Sequence, residues 1–301
     1  MTDKGKEPIL FIINPIAGIR SKTNLENSIR RHLDTKRYEP EFRYTEYKGH
    51  GTKLARKAIK RGVQKIIAVG GDGTVNEVGA ALVGKDAALG IIPVGSGNGL
   101  ARHLRIPVRV KEAINVINHG KVVNIDYGLV NGIPFFCTCG VGFDAFVGMR
   151  FAESEQRGFI TYVKTTLSEY VHYKPKKYRL KAGKTKVASR AFLVTFANAA
   201  QWGNNAYISP HADIQDGKLD ICILAPFPRF RALNIGYRLF SKRLHKSPYL
   251  RVLRTDKAIL KRKKAGAVHY DGEPAVMKKK ITLESVHRGL KVIVHEHSKW
   301  K

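Results

Sequence analysis

Three short stretches combine glycine with side chains able to do chemistry: NPIAG (Asn14 to Gly18), GGDGT (Gly70 to Thr74) and PVGSGNG (Pro93 to Gly99). Glycines let backbone N–H groups converge on a phosphate, and at a helix N-terminus the helix dipole adds to the attraction. One such turn is as well explained by a tight strand-to-helix connection; three in succession favour an anion site. None matches G-x-x-x-x-G-K-[ST], and no G-x-G-x-x-G opens the first helix, so a different phosphate-binding scheme is implied. Asp72 lies inside this bed. At about 4 Å from a phosphate it would be repelled by roughly 4 kcal/mol at an effective dielectric near 20. A divalent cation between them reverses the sign, and Mg²⁺ typically uses one or two carboxylates plus substrate phosphates. Asp72 therefore reads as a metal-linked acid. Thr74 and Glu77 fit a capping box, Thr at the N-cap and Glu at N3, ahead of a helix that buries Val75, Val78 and Leu82.

Late in the chain, YDGEPA (Tyr270 to Ala275) sets Glu273 beside an Asp-Gly corner. The plain reading is a β-turn with a surface Glu. The chemical reading is a carboxylate within reach of an acceptor hydroxyl, which phosphoryl transfer needs along with phosphate positioning and charge neutralisation.

These residues require elements that hold them at one edge. The apolar runs ILFII, KIIAV and LGIIPV each end in a glycine-bearing turn, and each leads into a helix pattern, such as Leu25, Ile29 and Leu33, or Leu54, Ala55, Ala58 and Ile59. This predicts an α/β domain with a parallel sheet, whose strand ends share the ligand-binding edge. After about Tyr127 strand-like runs dominate, IPFFCTCGVG, KITLESV and LKVIVHEH each reading as one strand among them, with helices expected only around Thr161 to Tyr173 and Phe230 to Leu244. A second, all-β sandwich-like domain is predicted. The boundary falls between residues 1–126 and 127–301, with the last residues able to return to the first domain.

The bulk composition narrows the partners. Fifty-four Lys and Arg against 24 Asp and Glu leave a net charge of +30, which seeks anions: nucleic acid, an anionic membrane or a phosphorylated small molecule. No apolar run approaches the ~20 residues of a spanning helix, and MTDKGKEP followed by ILFII reads as neither signal peptide nor span. The three cysteines cannot all pair, and Cys137-x-Cys139 in an apolar run fits buried thiols in a reducing compartment. Phe230, Leu233, Tyr237 and Phe240 recur at helical spacing among Arg229, Arg231, Arg238 and Lys242. That pattern predicts an amphipathic helix docked on its own core with a solvated basic face.

NPIAG, GGDGTVNEV, PVGSGNGLA, GVGFDA, ISPHADIQDGKLD and DGEP resemble, in order and over nearly the whole chain, the motifs of the diacylglycerol kinase catalytic family, bacterial lipid kinases related to sphingosine and ceramide kinases. GGDGT alone is shared with NAD kinases and phosphofructokinases; SGNGLA and the late DGEP are not their pattern. The resemblance implies an ATP- and Mg²⁺-dependent kinase acting on a lipid hydroxyl. Residues 1–126 would bind the nucleotide and 127–301 the lipid. By this likeness Asn14, Gly18, Thr45, Gly71, Asp72, Gly73, Thr74, Ser96 and Asn98 line the nucleotide. Glu273 is the general base, with Asp271 beside it. A structural cation in some members sits at the turn matching ADIQDG, which implies Asp216 as a ligand and Asp213 as a weaker one. Gly99 stands where bacterial diacylglycerol kinases often carry Asp, so Asp72 and Asp126 of NIDYG are left to carry more of the metal network.

The expected partners are ATP, a lipid alcohol (diacylglycerol, a sphingoid base and ceramide all stay open) and, reversibly, an anionic membrane surface. Each Lys or Arg near such a surface contributes about 1 kcal/mol. The expected location is cytoplasmic and peripheral to the membrane; a homodimer stays open and nucleic acid is not expected. The rival readings are an NAD kinase-like small-molecule kinase, whose acceptor motifs are not evident, and a non-enzymatic nucleic-acid-binding protein, supported by charge alone.

Overall fold

The computed structural model describes residues 5–16, 22–153, 166 and 168–298. The chain divides into two compact units, one of residues Met1–Ile125 with Arg288–Trp300 and the other of Asp126–His287.

In the first unit, strands β1 (Glu7–Ile13), β2 (Tyr38–Tyr44), β3 (Lys65–Gly70) and β4 (Ala88–Pro93) form a parallel sheet in the order β2-β1-β3-β4. β1, β3 and β4 are buried almost throughout. Burial on both faces explains why their sequences are continuous apolar runs rather than alternations, whereas β2, at the sheet edge, mixes buried and exposed positions. The helices are α1 (Lys22–His32), α2 (His50–Lys60), α3 (Asp72–Leu82), the short α4 (Gly99–His103) and α5 (Val110–His119). Leu25 and Ile29 of α1, Ala55 and Ala58 of α2, and Val75, Val78 and Leu82 of α3 are the buried faces that the helical spacing predicts.

Strand β5 (Lys121–Val130) leads into the second unit, which continues with β6 (Ile133–Phe135), β7 (Thr138–Gly142), α6 (Phe143–Glu153), β8 (Lys176–Ala182), β9 (Thr185–Ala191), β10 (Leu193–Ala197) and β11 (Leu219–Leu224). Helix α7 (Ala232–Phe240) follows, then β12 (Leu250–Thr255), β13 (Lys257–Arg262), β14 (Gly266–Tyr270), β15 (Glu273–Met277) and β16 (Lys280–Val294). One antiparallel sheet runs β12-β11-β10-β7-β14-β15; β9, β8, β13 and the first residues of β16 pair antiparallel in the facing layer. Phe196, Ile221 and Val268 from one layer and Leu180, Leu260 and Leu283 from the other share a single core, so the second unit is a β-sandwich.

The patterning thus gives the right class for both units, with three local differences. IPFFCTCGVG, which reads as one strand, breaks between β6 and β7 because the N–H groups of Phe136 and Cys137 donate to the carboxylate of Asp271, each at 2.7 Å. KITLESV and LKVIVHEH, which read as two strands, form the single 15-residue β16, in which Arg288 takes a left-handed conformation at φ 49°. Residues 280–284 pair with β13, and Val292 pairs with Leu89 of β4. The third difference concerns α7. The four apolar residues expected to dock it, Phe230, Leu233, Tyr237 and Phe240, are exposed, and Ile235 and Leu239 pack inward instead.

Of the helix expected around Thr161 to Tyr173, residues 168–172 are helical and most of the remainder lies outside the described residues. The cysteines are free and buried, and burial pushes the Cys222 thiol up to about 12. Among the described residues no helix is long and apolar enough to cross a membrane.

Candidate active site

In the first unit the ends of β1, β2, β3 and β4 place Asn14, Thr45, Gly71, Asp72, Gly73, Thr74, Ser96 and Asn98 along the carboxyl edge of the parallel sheet. Main-chain bonds fix the edge: Asn14 N donates to Val69 O, Thr45 N to Ile13 O and Val94 N to Gly70 O, at 2.9 to 3.0 Å. Gly18 lies outside the described residues.

The glycines have a packing reason as well as an anion-binding one. The turns after β3 and β4 cross so closely that a Cβ on Gly95 would overlap the Cα of Gly71, and a Cβ on Gly97 would run into Asp72 Oδ2. Asn98, in a left-handed conformation at φ 53°, spends its side chain inside the loop: its Oδ1 accepts from Gly95 N at 3.1 Å and its Nδ2 donates to Gly95 O at 2.7 Å.

Asp72 also has partners that its sequence neighbourhood does not reveal. Its carboxylate accepts from Asn98 N at 2.8 Å and from Gly99 N at 2.6 Å, the first amides of α4. The acid in the anion bed is therefore itself an anion held by the bed. A single carboxylate beside backbone amides is the kind of donor set that suits a Mg²⁺ bound mostly through water and phosphate oxygens.

The capping box expected from Thr74 and Glu77 does not form. The N-cap of α3 is Gly71, with no side-chain capping bond. Glu77 instead accepts from Gly49 N at 2.6 Å and Gly51 N at 2.9 Å, capping α2, whose own N-cap residue is Gly49. A carboxylate at a helix N-terminus satisfies orphan amides and complements the dipole whichever element supplies it.

In the second unit, Asp271 (φ 48°) and Gly272 (φ 82°) are the two central residues of the hairpin joining β14 to β15, the positive-φ pair of a type I′ turn. Asp271 is 7% exposed and its carboxylate accepts from the N–H groups of Phe136, Cys137 and Thr138, which locks the hairpin onto the start of β7. Glu273 is the first residue of β15, partly buried and paired with Tyr270. The Asp-Gly corner is as the turn reading predicts, but Glu273 is not a fully exposed surface residue.

Asp126 is the residue expected beside Asp72 in the metal network. Its side chain is wholly buried, accepts from Gly217 N at 2.6 Å and pairs with His287 Nδ1 at 2.9 Å, so it anchors the 213–217 loop. Asp213 and Asp216, expected as cation ligands, fold that loop by accepting from Gln215 N and Lys218 N. The positive charge beside them belongs to Arg254, 3.6 Å from Asp216 and 2.7 Å from Asp220. Burial, with the charges of Asp213 and Asp220, holds the Asp216 carboxyl above its ordinary value despite Arg254. Among the described residues no group of three or more His, Cys, Asp or Glu side chains is arranged to hold a metal ion.

Two buried polar groups escape the sequence reading. Asn198 Nδ2 donates to Asp126 O and Phe136 O, joining the 126 segment to the one that holds Asp271. Asp144, in α6, lies over Gly140 of β7, where Thr195 Oγ1 donates to Asp144 Oδ2 at 2.9 Å and His269 Nε2 lies 3.1 Å from the same oxygen. A Cβ on Gly140 would overlap both the carboxylate and the imidazole. The available signal was a polar residue inside otherwise apolar text, FANAA and GVGFDA.

Comparison with known proteins bears on both units. Residues 8–130 match the family model of the diacylglycerol kinase catalytic domain, and residues 137–294 that of the YegS C-terminal NAD kinase beta sandwich-like domain. A protein named diacylglycerol kinase from Mycobacterium tuberculosis strain H37Rv is 31% identical over 199 residues, covering 62% of this chain and 63% of the relative. An uncharacterised protein of Synechocystis sp. is 29% identical over 253 residues, covering 79% of this chain and 58% of the relative. The chain thus spans about three-fifths of the length of the curated relatives it matches. A solved diacylglycerol kinase structure from Bacillus anthracis strain Sterne superposes with a TM-score of 0.73 at 20% identity, covering 96% of this chain and 97% of that one. At that identity the likeness speaks for the fold.

Proposed function

The chain belongs to the family of the diacylglycerol kinase catalytic domain followed by a YegS-type C-terminal domain, and from that premise we propose that it transfers the terminal phosphoryl group of ATP to a hydroxyl of a membrane lipid. The observation that carries the reading is the convergence of the glycine-bearing turns and Asp72 on the carboxyl edge of the parallel sheet. Binding at such an edge is the rule for open α/β sheets.

In this reading Asn14, Thr45, Gly71, Gly73, Thr74 and Ser96 present amides and hydroxyls to the nucleotide, with Gly18 joining from the NPIAG turn. Asp72 is the residue that would hold Mg²⁺, which supplies charge neutralisation on the phosphates. Glu273 takes the proton of the lipid hydroxyl as that oxygen bonds to the γ-phosphorus and the bond from phosphorus to the ADP oxygen breaks. Asp271 and Asn198 position the hairpin that carries Glu273. Asp126, Asp213 and Asp216 have structural tasks and are given no part in the reaction. The net charge of +30 suits an enzyme that works reversibly at an anionic membrane on the cytoplasmic side.

Incubation with radiolabelled ATP and a total lipid extract, followed by identification of the labelled product, tests the reading and names the lipid. Labelled lipid is expected from the wild type. Glu273→Gln is expected to abolish labelling while leaving ATP binding by calorimetry largely intact; labelling at the wild-type rate would remove Glu273 from the mechanism.

A further inference from the structure

Helix α7 carries apolar side chains on two opposite faces. Successive residues turn by about 100°, so Leu233, Tyr237 and Phe240 fall on one side while Ile235 and Leu239 fall roughly half a turn away. The inner pair is accounted for: Ile235 and Leu239 pack on the cluster of Phe192, Leu224 and Leu244, and Leu239 O accepts from Tyr207 N at 3.0 Å. The outer set faces solvent. Leu233 is 86% exposed, Phe230, in the turn just before the helix, 77%, Tyr237 62% and Phe240 48%. A surface helix normally presents polar residues outward. Exposure of four large apolar side chains on one short segment is the mark of an interaction surface.

The surrounding charge selects the partner. From Ile221 to Thr255 the sequence contains no Asp or Glu, while Arg229, Arg231, Arg238, Lys242 and Arg243 flank the exposed stripe. The Arg231 guanidinium lies 5.3 Å from the ring centre of Phe230, at the border between the cationic rim and the apolar stripe. A stripe of Leu, Phe and Tyr whose own segment carries cations and no acids matches a bilayer with anionic headgroups, where the rings and Leu enter the acyl boundary and the cations meet phosphates. We propose that the segment Arg229–Arg243 is a membrane-docking element that inserts Phe230, Leu233, Tyr237 and Phe240 into anionic bilayers. This deepens the lipid-kinase reading, and rests on it only for preferring a bilayer to another apolar partner.

The test uses the full chain in co-sedimentation with phosphatidylcholine vesicles and with phosphatidylcholine–phosphatidylglycerol vesicles. The wild type is expected to partition onto the anionic vesicles and not onto the neutral ones. Leu233→Glu, at a side chain with no packing role, is expected to weaken that partition by at least about tenfold. Leu233→Trp is expected to bind as the wild type does and to give a blue-shifted emission that is quenched by brominated acyl chains. Wild-type binding by Leu233→Glu, or no blue shift from bound Leu233→Trp, would overturn insertion through α7. Concentration-dependent self-association of the wild type that Leu233→Glu abolishes, without vesicle binding, would overturn it in favour of contact between copies. Phosphorylation of a short-chain, water-soluble diacylglycerol is expected to be equal in wild type and Leu233→Glu. Vesicle binding without any phosphorylation would remove the kinase reading and leave the docking surface standing.

Discussion

At the residue scale, Asp72 combines two duties that usually fall to different residues. Its two oxygens already stabilise the loop that carries Asn98 and Gly99, and this structural duty operates without nucleotide or metal. Charge-assisted bonds to backbone amides contribute more than neutral ones, so Asp72→Ala is expected to lower the unfolding free energy by about 2 kcal/mol in ligand-free protein. Chemical denaturation in the presence of a chelator measures this; an unchanged midpoint would mean that the two amides find water instead. Gly140 is equally specific. The Asp144 carboxylate and the His269 imidazole fill the space a side chain would need, so Gly140→Ala is expected to destabilise by about 3 kcal/mol and Gly140→Val by more, read from the same denaturation curves.

At the scale of elements, helices are finished by residues borrowed from elsewhere in the chain. Glu77 of α3 closes the N-terminus of α2, and Glu77→Ala is expected to cost about 1 to 2 kcal/mol with the loss appearing as faster amide exchange in the first turn of α2 rather than of α3. This is also where sequence reasoning reached its end. Periodicity is local, so the parallel strands β1, β3 and β4, the buried faces of α1, α2 and α3, and the Asp-Gly hairpin are legible, whereas the break between β6 and β7, set by the distant Asp271, is not. The identity of a carboxylate's partner is not local: Asp72 meets amides 26 and 27 residues on, and Asp271 meets amides more than 130 residues back. Unseen partners made Asp72 look orphaned and made Glu77 look like the cap of its own helix. On α7 the spacing of Phe230, Leu233, Tyr237 and Phe240 was read correctly as one face. Which of its two apolar faces meets the core depended on Phe192 and Leu224, which the helix sequence does not contain.

At the scale of the whole molecule, charge governs the response to pH. Lys65 holds the Glu7 carboxyl, and the Tyr44 hydroxyl the Glu26 carboxyl, below the ordinary value. Groups depressed in the folded state stabilise it above the unfolded-state value of 4.5 and cease to do so as pH falls through the folded-state value. Acid also raises the net charge above +30, so both effects drive unfolding in the same direction. Circular dichroism is expected to show a Tm that falls steadily below about pH 4.5, with added salt moving the transition to lower pH. On the alkaline side, burial holds Cys222 protonated up to about 12 against an ordinary value of 9.0. The unfolded chain releases that proton first, so stability is lost across that interval. Cys222→Ser, which does not titrate there, is expected to make Tm depend less steeply on pH between 9.0 and about 12.

Strand β16 has a consequence for the order of biosynthesis. The first unit includes residues 288–300, where Leu290, Val292, Ile293 and Val294 are buried, Val292 pairs with Leu89, and Gly289 O accepts from Gly84 N. The second unit, residues 126–287, leaves the ribosome before that segment does. Although the loops at the carboxyl edge of the parallel sheet are made first, that sheet gains its last strand only when the second half of β16 emerges, after the first half has completed the β-sandwich. Ribosome-arrested chains in which residue 287 is followed by an unrelated linker long enough to fill the exit tunnel are expected to protect the second unit from protease while the first remains cleavable, and extending the exposed chain through the second half of β16 is expected to close that difference.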